Sequence, residues 1–314
     1  MSIFSNRSAS LLTKHGKEKV IAEVLNKEVS CLVQQTSAYD TDLLGTFTQE
    51  TPRYGTQLDA ARKKATIGMD LLNLDLGLAN EGAFVSDPYS GMIPWNNELL
   101  VLIDHKHQLE ITGFSSGPAQ NENAYLSHWE EVEKFADNAL FPSHYLVVKP
   151  TDEYHPQSKK GIKELAELKD AFEWAKNLSS KGVVYVENDL RAFANPTRME
   201  NIRKAAIDLA LKMNSLCPQC QAPGFWIKDI KRGLPCNACG LATDEEIAKI
   251  WACMWLTSIN GIFLAKANAL AKEVPTKSEP KSPGPRVKAT ASTSFLLILA
   301  LEMASWIVGI MFCW

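Results

Sequence analysis

The sequence has no excess of charge of either sign. Its 314 residues carry 33 Lys and Arg against 36 Asp and Glu, a formal net charge of −3. A surface that neutralises many phosphates needs a basic excess, so wholesale electrostatic binding to duplex DNA is not expected. With 46% hydrophobic and 22% charged residues, the composition also excludes a chain that is disordered throughout. A globular fold is predicted.

Neither a secretory leader nor a disulfide framework is expected from the sequence. The apolar residues near the N-terminus are interrupted too soon to form the core of a signal peptide. Four of the seven cysteines fall between positions 217 and 239, unlike the cysteines of small secreted scaffolds. We therefore expect the folded part of the chain to lie in the reducing cytoplasm.

Short apolar runs alternate with longer amphipathic stretches over residues 1–215. This alternation is typical of strands packed on helices, and it predicts an α/β domain with a mixed sheet and flanking helices. The expected strands include a hairpin, LLVLID and LEITGF joined by HKHQ. The predicted helices cover residues 14–28, 55–72, 127–138 and 163–178, with a last helix that begins near Thr197.

Four further segments are predicted after this domain. They are a zinc ribbon over residues 216–243, a helical extension over 244–273, a disordered linker over 274–293 and a transmembrane helix over 294–314. The linker is rich in Pro, Ser and Lys, and the last 20 residues carry one charge, Glu302. A C-terminal membrane anchor follows from this pattern. Two alternatives stay open: a hydrophobic helix docked on the domain, or a wrongly translated end, in which case residues 250–314 are not a genuine product.

The ribbon is predicted from two pairs of cysteines. Cys217 and Cys220 are followed, after 15 residues, by Cys236 and Cys239. Four thiolates on two tight turns suit tetrahedral Zn²⁺, and a zinc ion with four protein ligands is structural. Trp226, Lys228, Lys231 and Arg232 either present a surface to nucleic acid or protein, or simply cover a small module. Cys31 and Cys253 are interpreted as buried small side chains.

Polar residues stand at several predicted strand ends. Thr13, Lys14 and Lys17 lie where the first strand leads into a helix, which favours an anion site, with a solvated loop as the alternative. Glu81 and Asp104 end two other strands, so they either share a Mg²⁺ ion or cap the following turns.

Paired charges are dense between the last predicted strand and the last helix. This segment contains two charged or polar motifs, ENDLR, which ends at Arg191, and NPTR, which ends at Arg198. Arginine side chains here either grip phosphate or carboxylate, or form an internal ion-pair network that fixes the loop.

In several short sequence motifs the chain resembles an uncharacterised family, domain of unknown function 6671. These motifs are LLTKHGKE, DTDLLGTFTQE, DLGLANEGAF, LVLIDHKHQLEI, FPSH, VENDLRAFANPTRM, CPQCQAPGF and GLPCNACG. They extend over roughly residues 8 to 243. The family brings no established activity.

A more distant resemblance does imply a function. The order of TKHGK, TQLDAARKKA and ANEG is similar to that of the inosine-triphosphate pyrophosphatase-like superfamily, whose enzymes cleave non-standard nucleoside triphosphates. The resemblance implies that Thr13, Lys14 and Lys17 hold phosphate, that Lys64 reaches the triphosphate, and that Glu81 binds metal or orients water. The chain departs from the superfamily at Ala60, where Asn is frequent, and at Asn80–Glu81, where two acidic residues are common.

Two hypotheses result. The first is a Mg²⁺-dependent nucleotide or phosphate-ester hydrolase, with Glu81, Asp104 and Lys64 as catalytic residues and Arg191 or Arg198 closing over the nucleotide. The second is a non-enzymatic module that binds nucleic acid or a partner protein through its ribbon. A zinc-stabilised scaffold at a membrane is a third possibility. The sequence indicates no oligomeric state.

Overall fold

The structure is a computed structural model that describes residues 2–41, 55–259, 262–268 and 273–275. The predicted transmembrane helix at 294–314 lies outside these residues, as does the predicted linker at 274–293 except for Val274 and Pro275, which are in a strand. Within them, no helix has the length and hydropathy needed to cross a membrane.

The first half of the chain forms a five-stranded mixed sheet. Its elements are β1 (Ser8–Leu12), α1 (Glu18–Val29), β2 (Leu32–Thr36), α2 (Gln57–Leu72), β3 (Leu76–Ser86), β4 (Pro94–Asp104) and β5 (Leu109–Pro118). The strand order is β2-β1-β3-β4-β5, with β1 parallel to both of its neighbours and β3, β4 and β5 antiparallel. The prediction of a mixed sheet with a β4–β5 hairpin is confirmed.

A second sheet follows, and its four strands are all antiparallel. The elements are β6 (Asn123–Leu126), α3 (Trp129–Asn138), β7 (Leu146–Pro150), β8 (Lys159–Ile162), α4 (Leu165–Leu178) and β9 (Val184–Asn188). The strand order is β6-β9-β7-β8. The short strands β6 and β8 were not predicted, because each has only four residues and no clear apolar alternation.

Helix α5 (Pro196–Asn214) returns to the first sheet. Asn195 caps this helix by accepting a hydrogen bond from the backbone N–H of Arg198, and Pro196 is its first residue, one position before the start predicted near Thr197. Helices α1 and α5 pack on one face of the first sheet, where Leu11, Leu78 and Leu102 are fully buried. Helix α2 packs on the other face against Ala79, Val101 and Ile103, so strands β3 and β4 are covered on both faces there.

The remaining described strands form a third sheet near residues 226–275. They are β10 (Trp226–Arg232), β11 (Glu246–Ile259), β12 (Ile262–Asn268) and β13 (Glu273–Pro275). The helical extension predicted for 244–273 is therefore wrong over the described part. Pairing of β11 with β10 and β12 along its length outweighs any local helix preference of its Glu, Ala and Lys residues.

Candidate functional site

Strands β3 and β4 present two different sets of polar side chains to the two faces of the first sheet. Glu81 lies opposite Leu99, whereas Gly82 lies opposite Glu98. Because successive residues of a strand point to opposite faces, Glu81 faces α2 and Glu98 faces α5. Beyond Leu78, where its pairing with β1 ends, β3 continues to Ser86. The part of β3 beyond Leu78 therefore has a charged group on each face of the sheet, Glu81 on the α2 side and Glu98 on the α5 side.

On the α2 side, Lys64 forms an ion pair with Glu81. The two side chains are nearly buried, with 12% and 10% of their surface exposed. The backbone carbonyl of Glu81 also accepts a hydrogen bond of 2.7 Å from the Gln57 side chain. The first turn of α2 is fixed by a capping box between Thr56 and Asp59. Lys64 is therefore held against Glu81 by a well-anchored helix.

On the α5 side, Arg198 forms a fully buried ion pair with Glu98. Arg198 Nε donates to Glu98 Oε1 at 2.8 Å, and Arg198 Nη1 donates to the Leu190 carbonyl at 2.5 Å. Asn96 and Asn80 each donate a further hydrogen bond to the Glu98 carboxylate, at 3.1 and 3.0 Å. Burial alone raises the pKa of Glu98, but the charges of Arg198 and Lys17 and these hydrogen bonds outweigh burial and hold the pKa below its usual range.

The Asn80 amide has a fixed orientation. Its nitrogen donates to both Glu98 Oε2 and the Leu99 carbonyl, at 3.0 and 3.1 Å. Its oxygen is buried and has no hydrogen-bond partner among the described residues. Buried acceptors in folded proteins normally have a partner. The side-chain oxygen of Asn80 can therefore accept a hydrogen bond or coordinate a cation beside Glu98.

Lys17, at the N-terminus of α1, lies near both ion pairs. Burial, the largest effect, and the positive charges of Arg198 and Lys64 lower its pKa to about 7, although Glu98 and Glu81 act in the opposite direction. An ammonium group with such a pKa is only partly charged at neutral pH. An anion placed near it would restore the charge, because a nearby opposite charge favours the ionised form.

The other basic residues that the sequence singles out have separate partners. Lys14 pairs with Asp40 at 2.6 Å on the surface. Thr13 is buried, and its carbonyl accepts from Gln35 at 3.2 Å. Arg191 donates from Nε to Asp189 at 2.9 Å and lies over the ring of Phe193. The structure therefore brings Lys17, Lys64, Glu81 and Arg198 together, and it holds Arg191 in an ion pair within its own loop.

Asp104 ends β4 as predicted, whereas Glu81 lies midway along β3, so the predicted strand-end position of Glu81 is wrong. Glu81 pairs with Leu99 of β4, and Asp104 lies further along the same strand. At about 3.4 Å per residue, Leu99 and Asp104 are about 17 Å apart, so Glu81 and Asp104 are separated by a similar distance along the sheet. Asp104 accepts hydrogen bonds from Arg7 and from the backbone N–H and ring of His107. It therefore closes the β4–β5 turn, and it does not share a metal ion with Glu81.

The cysteines group in an unexpected way. The sulfurs of Cys217, Cys220 and Cys253 lie within 4.8 Å of one another, and those of Cys236 and Cys239 are not part of this group. Cys217 and Cys253 are buried and Cys220 is exposed. Burial, followed by the Cys220 thiol, raises the pKa of Cys253 to about 12. The chain therefore contains a cysteine cluster with the composition of a metal site.

Sequence reasoning missed two members of these clusters. Glu98 is one of three consecutive polar residues, Asn96, Asn97 and Glu98, so the sequence shows no alternation that would reveal which of them is buried. Cys253 was interpreted as a buried small residue. The antiparallel return of β11 toward the first cysteine pair places it there, and only tertiary pairing reveals that return.

The described residues thus define a mixed α/β protein with charged clusters around β3 and a cysteine cluster near the end of the fold. Residues 64–263 match the sequence model of the family described as a domain of unknown function, DUF6671. This match covers more than half of the chain, and the chain belongs to that family. Comparison with curated proteins gives no match.

Proposed function

We propose that the protein is a Mg²⁺-dependent hydrolase of nucleotides or related phosphate esters, most specifically a nucleoside-triphosphate pyrophosphohydrolase. One observation carries this proposal. Lys17, the Lys64–Glu81 pair and the N-terminus of α1 lie together beside the continuation of β3. Two lysines and a helix N-terminus favour a polyanionic ligand, and the carboxylate beside them favours its cation.

The basic groups would bind the phosphates. Lys17 stands at the N-cap of the 12-residue helix α1, whose first backbone N–H groups have no partner within the helix. Lys64 approaches from the first sheet's other face. In a site shielded from water, both ammonium groups interact with developing negative charge more strongly than they do in bulk solvent.

Glu81 would supply the acidic group. Its carboxylate is nearly buried and already holds one cationic partner, Lys64, so the position suits a positive charge. When bound, Mg²⁺ supplies charge neutralisation at the phosphoryl oxygens. Glu81 would orient the attacking water and accept its proton.

The reaction adds water across one phosphoanhydride bond. Water oxygen bonds to the α-phosphorus, the bridging bond to the β-phosphate breaks, and the products are a monophosphate and pyrophosphate. The choice of this bond draws on the order of basic loop, α2 and β3, which is similar to that of the inosine-triphosphate pyrophosphatase-like superfamily. Arg198, held in a buried pair with Glu98, would position β3 and not contact the nucleotide.

A panel of nucleoside triphosphates with Mg²⁺ tests this function. Pyrophosphate release by the full chain should fall by roughly 100-fold or more in Glu81→Gln, because general-base groups contribute roughly 10²–10⁴-fold. Glu187→Gln is the matched control, since Glu187 is an ion-paired carboxylate of the other sheet. Equal release by all three proteins, or none by any of them, contradicts the proposal.

We further propose that cysteines of the C-terminal region, Cys217 and Cys220 among them, bind structural Zn²⁺.

A non-enzymatic module that uses this region to bind nucleic acid is the second candidate function, and exposed Lys228 and Lys231 on β10 favour it. RNA or DNA binding that weakens steeply with salt, without triphosphate hydrolysis, would support this candidate over the hydrolase.

The membrane anchor at residues 294–314 stays a proposal that rests on the apolar sequence alone. A chain that lacks these residues should lose its association with membranes in fractionated cells. Unchanged fractionation of the shortened chain would exclude the anchor.

A further inference from the structure

The two cysteine pairs form two turns of the same backbone geometry. In the first, the N–H of Gln221 donates to the carbonyl of Cys217 at 2.8 Å, and in the second the N–H of Gly240 donates to that of Cys236, also at 2.8 Å. Gln221 and Gly240 both have positive φ, 58° and 73°. Each pair therefore presents its two sulfurs from a preformed turn.

Strand β10 lies between these turns. From Trp226 to Arg232 it spans on the order of 20 Å, at about 3.3 Å per residue. A single zinc ion holds its thiolates about 2.3 Å away, so all four sulfurs would have to meet at one point. An extended strand between the turns opposes that arrangement.

The antiparallel return of β11 brings a different cysteine to the first turn. Arg232 pairs with Glu246 at the end near Cys236, and Trp226 pairs with Ala252 at the end near Cys220. Cys253 follows Ala252 directly, and its sulfur lies 3.5 Å from that of Cys220. Ala222 and Phe225 pack against Cys217 and Cys253.

We propose that Cys217, Cys220 and Cys253 together bind one Zn²⁺ ion, that Cys236 and Cys239 do not belong to this site, and that its fourth position accepts an exchangeable small donor. This inference deepens the structural zinc proposed above and rests on it. Among the described residues, no other His, Cys, Asp or Glu joins the group. Three protein ligands leave one of the four tetrahedral positions for water or an added ligand. Cys220 is exposed, so solvent reaches the site on its side.

Thiol protection identifies the ligands in the full-length chain. The chain is loaded with one equivalent of Zn²⁺, alkylated, and compared with the metal-free chain by peptide mass spectrometry. Zinc should protect Cys217, Cys220 and Cys253. Protection of Cys236 and Cys239 with the first pair, while Cys253 reacts equally in both samples, overturns the inference but leaves the structural zinc intact. Absence of any protection overturns both.

Affinity and spectroscopy give independent readouts. Cys253→Ser should weaken Zn²⁺ binding at the first turn by roughly 100-fold or more in chelator competition. Mutating a residue that only hydrogen-bonds to a metal ligand already lowers metal affinity by roughly 10–100-fold, and Cys253 is proposed as a ligand itself. Cys236→Ser is the matched control and should leave that affinity unchanged. With Co²⁺ in the site, imidazole should shift the visible spectrum of the control protein. A spectrum that imidazole does not change indicates a filled fourth position and contradicts the exchangeable ligand.

Discussion

At the scale of single residues, ion pairs in this protein differ in burial. Glu98 and Arg198 expose 0% and 1% of their side chains, whereas Arg203 and its partner Glu23 expose 31% and 62%. Water solvates the second pair if it is broken, but not the first. The same chemical contact therefore has different consequences at the two positions.

Arg198→Met should destabilise the fold by about 3–5 kcal/mol, because it leaves the buried Glu98 carboxylate without its cation. Arg203→Met, the control in the same helix, should change the free energy of unfolding by no more than about 1 kcal/mol. Urea denaturation of both variants measures the difference. An equal loss of unfolding free energy in the two variants would show that burial does not determine how much breaking an ion pair destabilises this protein.

The burial of the Lys17 ammonium group predicts a pH dependence of stability. Its folded pKa, about 7, lies below the ordinary value of 10.5, so between these values the unfolded chain holds a proton that the folded chain does not. Its contribution to stability therefore rises as pH increases from 7 toward 10. Between pH 7 and pH 10 the urea midpoint of the natural chain should rise relative to that of Lys17→Met. Parallel pH profiles would contradict the lowered pKa.

At the scale of elements, glycine permits the close approach of α5 to β5. A Cβ at Gly113 would collide with the Ala205 carbonyl and lie 2.6 Å from Leu209 Cβ, whereas one at Gly117 would come no closer than 3.5 Å to Asn201. Both glycines belong to the same strand and face the same helix. They form a natural pair for comparison.

Gly113→Ala should destabilise the protein by roughly 1–3 kcal/mol, the usual cost of overpacking, because helix α5 has to move away from the sheet. Gly117→Ala should change stability by less than about 1 kcal/mol, since its methyl group meets ordinary contacts. Thermal unfolding of the two variants separates these outcomes. A larger loss for Gly117→Ala would contradict the packing described for α5.

The cap of α2 bears on the candidate site as well as on stability. The Thr56 hydroxyl accepts from the N–H of Asp59 at 3.2 Å, and Asp59 bonds back to the N–H of Thr56 at 3.0 Å. Thr56→Ala should cost about 1 kcal/mol in chemical denaturation, with Thr56→Ser as the conservative control. A fully stable Thr56→Ala protein would show that tertiary contacts alone hold the start of this helix.

Predictability from sequence differed between elements for physical reasons. The start of α5 could be predicted to within one residue because proline is confined to the first turn of a helix, and the β4–β5 hairpin could be predicted from its two apolar runs. The β11 strand was not, because its conformation depends on partners distant in sequence. The same limitation applies to the site. Basic loops and acidic residues are visible in the sequence, but the mid-strand position of Glu81 and its separation from Asp104 follow from the pairing of β3 with β4.

At the scale of the whole molecule, the charged groups and the cysteine cluster occupy different sheets. Glu81 and Glu98 lie on the first sheet, and Cys253 belongs to the third. In the proposed account the first sheet carries the chemistry and zinc stabilises the end of the fold. Loss of zinc should then lower stability more than it changes phosphate binding.

The central claim is that a polyanion binds beside Lys17. Calorimetric titration of the full chain with a nucleoside triphosphate at pH 8, in two buffers of different ionisation enthalpy, counts the protons taken up on binding. The natural chain should take up about one proton more than Lys17→Met, because the bound phosphates restore the charge of an amine whose pKa is about 7. Equal proton uptake by the two proteins, or no binding by the natural chain, would contradict the account.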